Sequence, residues 1–181
     1  MMRLFSSLHY VLYEPSGKWK TSEKISSAGK FGFLAGILGL FAWFYMFSGI
    51  PSGVFSFLVF FLIALASDFF SASVTHMLIE LVKGGNGGAS PLFYSFGLSD
   101  MLFSFLVPLG MICITFGGGQ GTVFFIMLSA VVIARVYFIS RLYGIGSWSA
   151  FFSFLIPYAA VLFFWNLFMF YSIFWLCSRI M

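Results

Sequence analysis

Five long and almost uninterrupted apolar runs constrain this sequence more than any other feature. A bilayer core of about 30 Å takes roughly 20 apolar residues in a helix that rises about 1.5 Å per residue. Runs that meet or approach this length cover residues 31–47, 54–82, 91–116, 122–140 and 148–176, with glycine-rich or polar turns between them. The sequence therefore predicts an all-α polytopic membrane protein, with a bundle of five transmembrane helices in residues 31–178.

Composition excludes the other broad classes of protein. Only 8% of the residues are charged and the mean hydropathy is +1.06, whereas soluble domains carry about 25% charged residues. The same numbers exclude an intrinsically disordered chain. A membrane β-barrel needs segments of alternating polarity, and solid runs such as VFSFLVFFLIALA do not alternate. Five of the nine cations precede the first run, so they mark a membrane flank, and we expect no nucleic-acid partner.

Positive charge predicts the orientation in the membrane. Loops rich in Lys and Arg stay on the cytoplasmic side, and the turns at 48–53 and 117–121 carry no charge. We therefore expect a cytoplasmic N-terminus and an outside C-terminus, in the inner (plasma) membrane of the cell and without a cleaved signal peptide. The cations that favour this orientation are Arg3, Lys18, Lys20, Lys24, Lys30, Lys83, Arg135 and Arg141, whereas Arg179 opposes it.

Residues 1–30 form a separate cytoplasmic or interfacial segment. Within it, apolar side chains recur at helical spacing at Leu4, Leu8 and Leu12, ahead of Pro15. This spacing predicts a short helix lying in the inner headgroup layer, and a disordered tail is the alternative.

Five ionisable residues fall inside the apolar runs, where each is costly and is expected to face protein or water: Asp68, His76, Glu80, Asp100 and Arg135. At 1.5 Å per residue, His76, Asp100 and Arg135 lie ~9–13 Å from the inner ends of their helices, which predicts one shared layer. Asp68 is deeper at ~22 Å and Glu80 shallower at ~5 Å. His76 and Glu80 are four residues apart and can pair directly.

Two interpretations of this polar cluster remain open. It either serves a proton, an ion or a bound headgroup, or it is a structural ion pair that locks the bundle, and the second is the simpler. The spacing of the ionisable residues is not diagnostic of a metal site, and no nucleophile lies beside a base. We therefore expect no metal, no cofactor and no catalytic residue. Asn166 is interpreted as a hydrogen-bond donor to a neighbouring helix.

Three motifs give the chain a family resemblance. THMLIELVKGGNGG runs from a His-bearing helix into a glycine hinge, SPLFYSFGLSDMLFSFLVPLG opens the next helix, and RLYGIGSWSAFFSFLIP joins the last two runs. In this order the motifs resemble the Ypt/Rab-interacting protein (Yip) family, in its prokaryotic branch. The hinge and helix-packing residues that carry the resemblance are Gly84, Gly85, Gly87, Gly88 and Pro108.

The resemblance implies five spans with a cytoplasmic N-terminus, and it transfers no catalytic residue. Eukaryotic members bind Rab-type GTPases and one another, and they help to shape or traffic membranes. Those members carry a long N-terminal domain that this sequence does not show, so a small GTPase partner is expected only by family resemblance.

Two functions follow as hypotheses. The first is a non-enzymatic integral membrane protein that acts by helix packing and partner binding, with the lipid bilayer, other membrane proteins or further copies of itself as partners. Small residues at four-residue spacing, such as Gly32 with Gly36 and Ala130 with Ala134, favour close helix approach. The alternative is a small transporter or ion-conducting subunit that uses the buried His/Asp/Arg cluster.

Overall fold

The computed structural model describes residues 23–49, 53–84 and 88–180, and all of its regular structure is helical. The N-terminal interfacial helix, the cations before Glu23, and Gly85 and Gly87 of the hinge lie outside the described residues. The elements, in chain order, are α1 (Glu23–Ser48), α2 (Val54–Lys83), α3 (Ala89–Asp100), a 3₁₀ segment (Met101–Phe105), α4 (Leu106–Thr115), α5 (Gln120–Tyr143) and α6 (Ser147–Ile180).

Five helical stretches are long and apolar enough to span a membrane, which confirms the prediction of a five-helix bundle. They cover Ile25–Phe47, Val54–Val82, Ala89–Thr115, Gln120–Tyr143 and Ser147–Tyr171. The protein is an integral membrane protein of all-α class.

The first helix begins earlier than predicted. It starts at Glu23 rather than at residue 31, so residues 23–30 belong to the bundle and not to a separate N-terminal segment. Ile25 and Ala28 are buried in the same apolar cluster as Leu92 of α3. This first part of α1 alternates polar and apolar residues, so a search for solid apolar runs passes over it.

The third span is broken where the sequence predicts one continuous helix over 91–116. Ser95, Ser99 and Ser104 each donate a side-chain hydrogen bond to the carbonyl three residues earlier, at 2.6–2.7 Å. Hydroxyls that bond to the backbone in this way compete with the helical ladder and bend helices. Here the chain tightens into the 3₁₀ segment between α3 and α4.

A seam of glycines holds α1 against α3 and the 3₁₀ segment. A Cβ on Gly32 would lie 2.5 Å from the Gly97 carbonyl oxygen, and one on Gly39 would lie 2.7 Å from the Phe103 carbonyl carbon. The close approach predicted for Gly32 and Gly36 is confirmed, and it occurs between two helices of the same chain. Only hydrogen atoms fit at these positions, so the backbones touch directly.

The bundle interior consists of two apolar clusters separated by a polar layer. One cluster centres on Leu92, Phe96 and Ile139, and the other on Trp43, Leu106 and Val131. In the third span, Asp100 comes after Leu92 and Phe96 of the first cluster. In α5, Arg135 lies between Val131 of the second cluster and Ile139 of the first.

The last helix, α6, leaves the bundle after its first twelve residues, of which Tyr158 is the last. It contains Pro157, which has no backbone N–H, so the Ser153 carbonyl lacks its usual helical donor. Pro157 is buried, but every described side chain from Ala159 to Tyr171 is exposed outside the bundle, Trp165 not being described.

Candidate functional site

Arg135 is the centre of the polar layer. The side chain projects from α5 into the bundle and is 6% exposed. Its Nη2 donates to Asp68 Oδ1 of α2 at 2.7 Å and to Asp100 Oδ1 of α3 at 2.5 Å. Both carboxylates are also buried, so three helices exchange charge-assisted hydrogen bonds in a site removed from water.

The remaining guanidinium donors are also used. Arg135 Nε donates to Ser99 Oγ at 3.2 Å, and Nη1 donates to the Tyr158 hydroxyl of α6 at 3.0 Å. The Ser71 hydroxyl of α2 in turn donates to Tyr158 at 3.0 Å. Because these bonds reach α2, α3, α5 and α6, this one side chain links four of the six helices.

An aromatic ring supports the guanidinium from one side. The Arg135 Cζ atom lies 4.7 Å from the centroid of the Phe96 ring, within the range of a cation–π contact. Phe96 is fully buried and also packs edge-on against Phe154 of α6. The ring orients the guanidinium plane and keeps it within the layer.

The charges of this group do not balance. Two carboxylates face one guanidinium, so the group carries a formal net charge of −1 when both acids are ionised. A net charge within a bilayer is unfavourable by at least about 2.5–3.5 kcal/mol near the helix centre. The site is therefore held together by strong pairs, and in its doubly ionised form one proton or one other cation would neutralise it.

His76 belongs to a different polar group, contrary to the expectation that it shares a layer with Asp100 and Arg135. Its Nδ1 shares a hydrogen bond of 2.7 Å with the Tyr143 hydroxyl, and its Nε2 lies 3.5 Å from Glu80 Oε2. The predicted pairing of His76 with Glu80 is confirmed. The Glu80 side chain is 62% exposed, so this second group lies at the edge of the bundle.

Asp68, and not His76, shares the layer with Asp100 and Arg135. The length of α2 explains why the depth of these residues was predicted wrongly. α2 has 30 residues, which is ~45 Å of helix, far more than the ~30 Å bilayer core. Asp68 lies ~22 Å of helix before Lys83, whereas its partner Arg135 lies only ~12 Å before Tyr143, so the Lys83 end of α2 extends past the Tyr143 end of α5 and depths counted from the two ends do not agree.

Tyr158 and Ser99 belong to this polar layer, and the sequence analysis missed both. A tyrosine in the middle of an apolar run, away from the interfaces where tyrosines collect, was the available signal for Tyr158. Ser99 precedes Asp100 directly, and its role could not be read without the orientation of Arg135. Asn166, expected to donate to another helix, instead donates to the Leu162 carbonyl of its own helix at 2.7 Å.

A cavity of about 320 Å³ lies against the ion pairs, between α2, α5 and α6. Its polar wall consists of Asp68, Arg135, Tyr158 and Ser67. The rest of the lining is apolar: Phe103, Leu128, Val131, Val132, Phe151, Phe154 and Leu155. Leu128 and Leu155 are partly exposed, so the cavity opens toward the lipid-facing surface between α5 and α6.

The described glycines of the hinge act as helix boundaries. Gly84 ends α2 with φ +60°, a left-handed conformation that glycine adopts without strain, and its N–H donates to the Glu80 carbonyl. Gly88 precedes α3, and Pro108 lies exposed in the first turn of α4. Among the described residues, no three His, Cys, Asp or Glu side chains are placed to hold one metal ion.

Comparison with known proteins finds no relative of this chain. The chain matches no protein-family model, no curated protein and no solved structure. The resemblance to the Yip family therefore stays a prediction drawn from the sequence motifs.

Proposed function

We propose that this chain is a non-enzymatic integral membrane protein that organises the membrane by binding other proteins within the bilayer, a second copy of itself first among them. The observation that carries this proposal is the part of α6 at residues 159–171, whose described side chains are exposed and include the polar side chain of Asn166.

The other features described above that favour helix association, small residues and buried polar side chains, make their contacts within this chain. The glycines of α1 pack on α3 and the 3₁₀ segment, and Arg135 binds groups of α2, α3 and α6. Asn166 differs, because its Nδ2 donates to its own helix and no other described residue bonds to its Oδ1. A carboxamide carries both donor and acceptor, so two symmetry-related copies can satisfy each other.

The energy of such a contact is modest but useful. Interhelical hydrogen bonds in membranes contribute about 0.6 kcal/mol on average and up to about 1–2 kcal/mol in model peptides. Large aromatic and aliphatic side chains on both sides of Asn166 add van der Waals packing. The charge distribution supports a cytoplasmic N-terminus and an outside C-terminus, and the plasma membrane is the proposed location. A small GTPase partner rests on the Yip resemblance alone.

The test is the association state of the full chain in native membranes. Fluorescently tagged protein is counted by single-molecule photobleaching, and wild type is compared with Asn166→Leu and Asn166→Gln. We expect oligomers of wild type, a dimer association constant reduced about 5-fold in Asn166→Leu because about 1 kcal/mol is lost, and retention in Asn166→Gln. Wild-type protein that is only monomeric and crosslinks to no companion would exclude the proposal.

Transport is the second candidate function, and the cavity beside Asp68 and Arg135 favours it. Ionisable residues within membrane spans commonly mark substrate, ion or proton pathways. The measurement is pH-dependent ion or solute movement into liposomes containing the purified chain. Asp100→Asn is expected to abolish this movement while the fold is kept, and vesicles without any flux would rule the candidate out.

A further inference from the structure

The cavity beside Arg135 combines three features that are seldom found together in a bilayer. It has an ionic wall, it has aromatic walls, and it opens laterally between two helices. Together these features specify the chemistry of a ligand more narrowly than the ion pairs alone.

With both acids ionised, the ionic wall is negative overall. Arg135 lines the cavity, but both of its Nη2 hydrogen bonds go to carboxylates, and Asp68 lines the cavity beside it. In this ionised form the group presents one more negative than positive charge. A cation in the cavity would neutralise the layer, whereas an anion would raise the net charge to −2.

The aromatic walls favour a cation of organic type. Four rings line the cavity, those of Phe103, Phe151, Phe154 and Tyr158, and the centroids of Phe154 and Tyr158 are 5.0 Å apart. Ring faces attract alkylammonium groups, by about 2 kcal/mol or more where water is excluded. A small inorganic cation would lose its hydration shell to a lining that is mostly carbon.

The size and opening of the cavity limit the ligand further. A volume of about 320 Å³ is at the small end of the ~300–1,000 Å³ range of ligand pockets, which suits a single ring or a short branched chain. Leu128 and Leu155 stand at an opening that faces lipid, so the ligand must partition into the bilayer.

We propose that this cavity binds a small lipophilic organic cation, an alkyl- or arylammonium ion, with its charge beside Asp68 and its carbon groups against the aromatic walls. This names the ligand class of the site behind the second candidate function and is independent of partner binding through α6. Equilibrium binding tests it without requiring either flux or oligomer formation.

The experiment measures binding of benzyltrimethylammonium to the full chain in lipid nanodiscs by equilibrium dialysis, with protein-free nanodiscs as the partition control. Neopentylbenzene, the uncharged carbon analogue, is the competitor. We expect saturable binding of the ammonium ion, little competition by the neutral analogue, and at least a 10-fold weaker affinity in Asp68→Asn, which removes the excess charge at nearly constant shape. Wild-type affinity in Asp68→Asn, or equal competition by the neutral analogue, would overturn the proposal.

A second pair of variants tests the location and does not depend on how well Asp68→Asn folds. Leu155→Trp fills the mouth of the cavity without changing any charge, and it is expected to abolish binding. Phe152→Trp is the matched control, because Phe152 lies on the same helix, is 57% exposed and does not line the cavity. Unchanged binding by Leu155→Trp, or equal losses in both variants, would place the site elsewhere and refute the assignment.

Discussion

Replacing Gly36 by alanine tests the contact between α1 and the third span most directly. The added Cβ would lie 2.6 Å from the carbonyl carbon and 2.8 Å from the Cβ of Asp100, whereas ordinary contacts begin at 3.4 Å. The two helices would have to separate locally by roughly 1 Å, and the obstacle is backbone that cannot turn aside.

The magnitude follows from this geometry. Overpacking of a close-packed interior costs typically about 1–3 kcal/mol, and the upper half of that range applies because the neighbouring glycines share the same seam. Asp100 also supplies a carboxylate to Arg135, so a displaced α3 lengthens that hydrogen bond and adds to the loss. We expect the free energy of unfolding to fall by about 2–3 kcal/mol.

The assay is reversible unfolding of the purified chain in mixed micelles, titrated with a denaturing detergent. Gly121→Ala is the matched control, since Gly121 lies in the first turn of α5 and a Cβ there meets no atom within 4 Å. The control is expected to stay within about 0.5 kcal/mol of wild type. If Gly36→Ala is as stable as the control, the backbone seam described here is wrong.

Three further changes probe the polar groups in the same unfolding assay. Arg135→Met leaves Asp68 and Asp100 buried together without their cation, and it is expected to cost about 3–5 kcal/mol; a loss below about 1 kcal/mol would show that the ion pairs are not buried as described. Tyr158→Phe removes the acceptor of both Arg135 Nη1 and Ser71, so a loss of about 1–3 kcal/mol is expected, and unchanged stability would contradict those bonds. Tyr143→Phe removes only the hydrogen bond to His76, and its cost should stay near 0.5–1.5 kcal/mol; a larger loss would mean that this group also supports the core.

The membrane spans could be predicted from the sequence because one physical quantity determines them. That quantity is the length of an apolar helix compared with the thickness of the bilayer. It predicts the ends of α2 and of the third span to within a few residues of those in the structure. The start of α1 could not be found in this way. Its first turns are half polar and are held by packing of Ile25 and Ala28, which a search by hydropathy does not detect.

The polar site, like the membrane spans, could be predicted only in part from the sequence. Because a charged side chain is costly in lipid, Asp68, Asp100 and Arg135 could be predicted to be buried before any geometry was known. Their grouping depends on how far each helix extends past the bilayer, on helix rotation, and on the 3₁₀ segment within the third span. None of these follows from counting residues along one helix, which is why His76 was placed beside Arg135 and Tyr158 was missed.

The proline in α6 has a mechanical consequence. With 34 residues, α6 is ~51 Å long, well beyond the hydrocarbon thickness of any ordinary bilayer. Because Pro157 interrupts the ladder between residues 153 and 157, we expect α6 to bend there when the thickness of the membrane changes. Tyr158 lies just beyond this bend and accepts a hydrogen bond from Arg135, so a change in the tilt of the distal portion is expected to reach the charged layer directly.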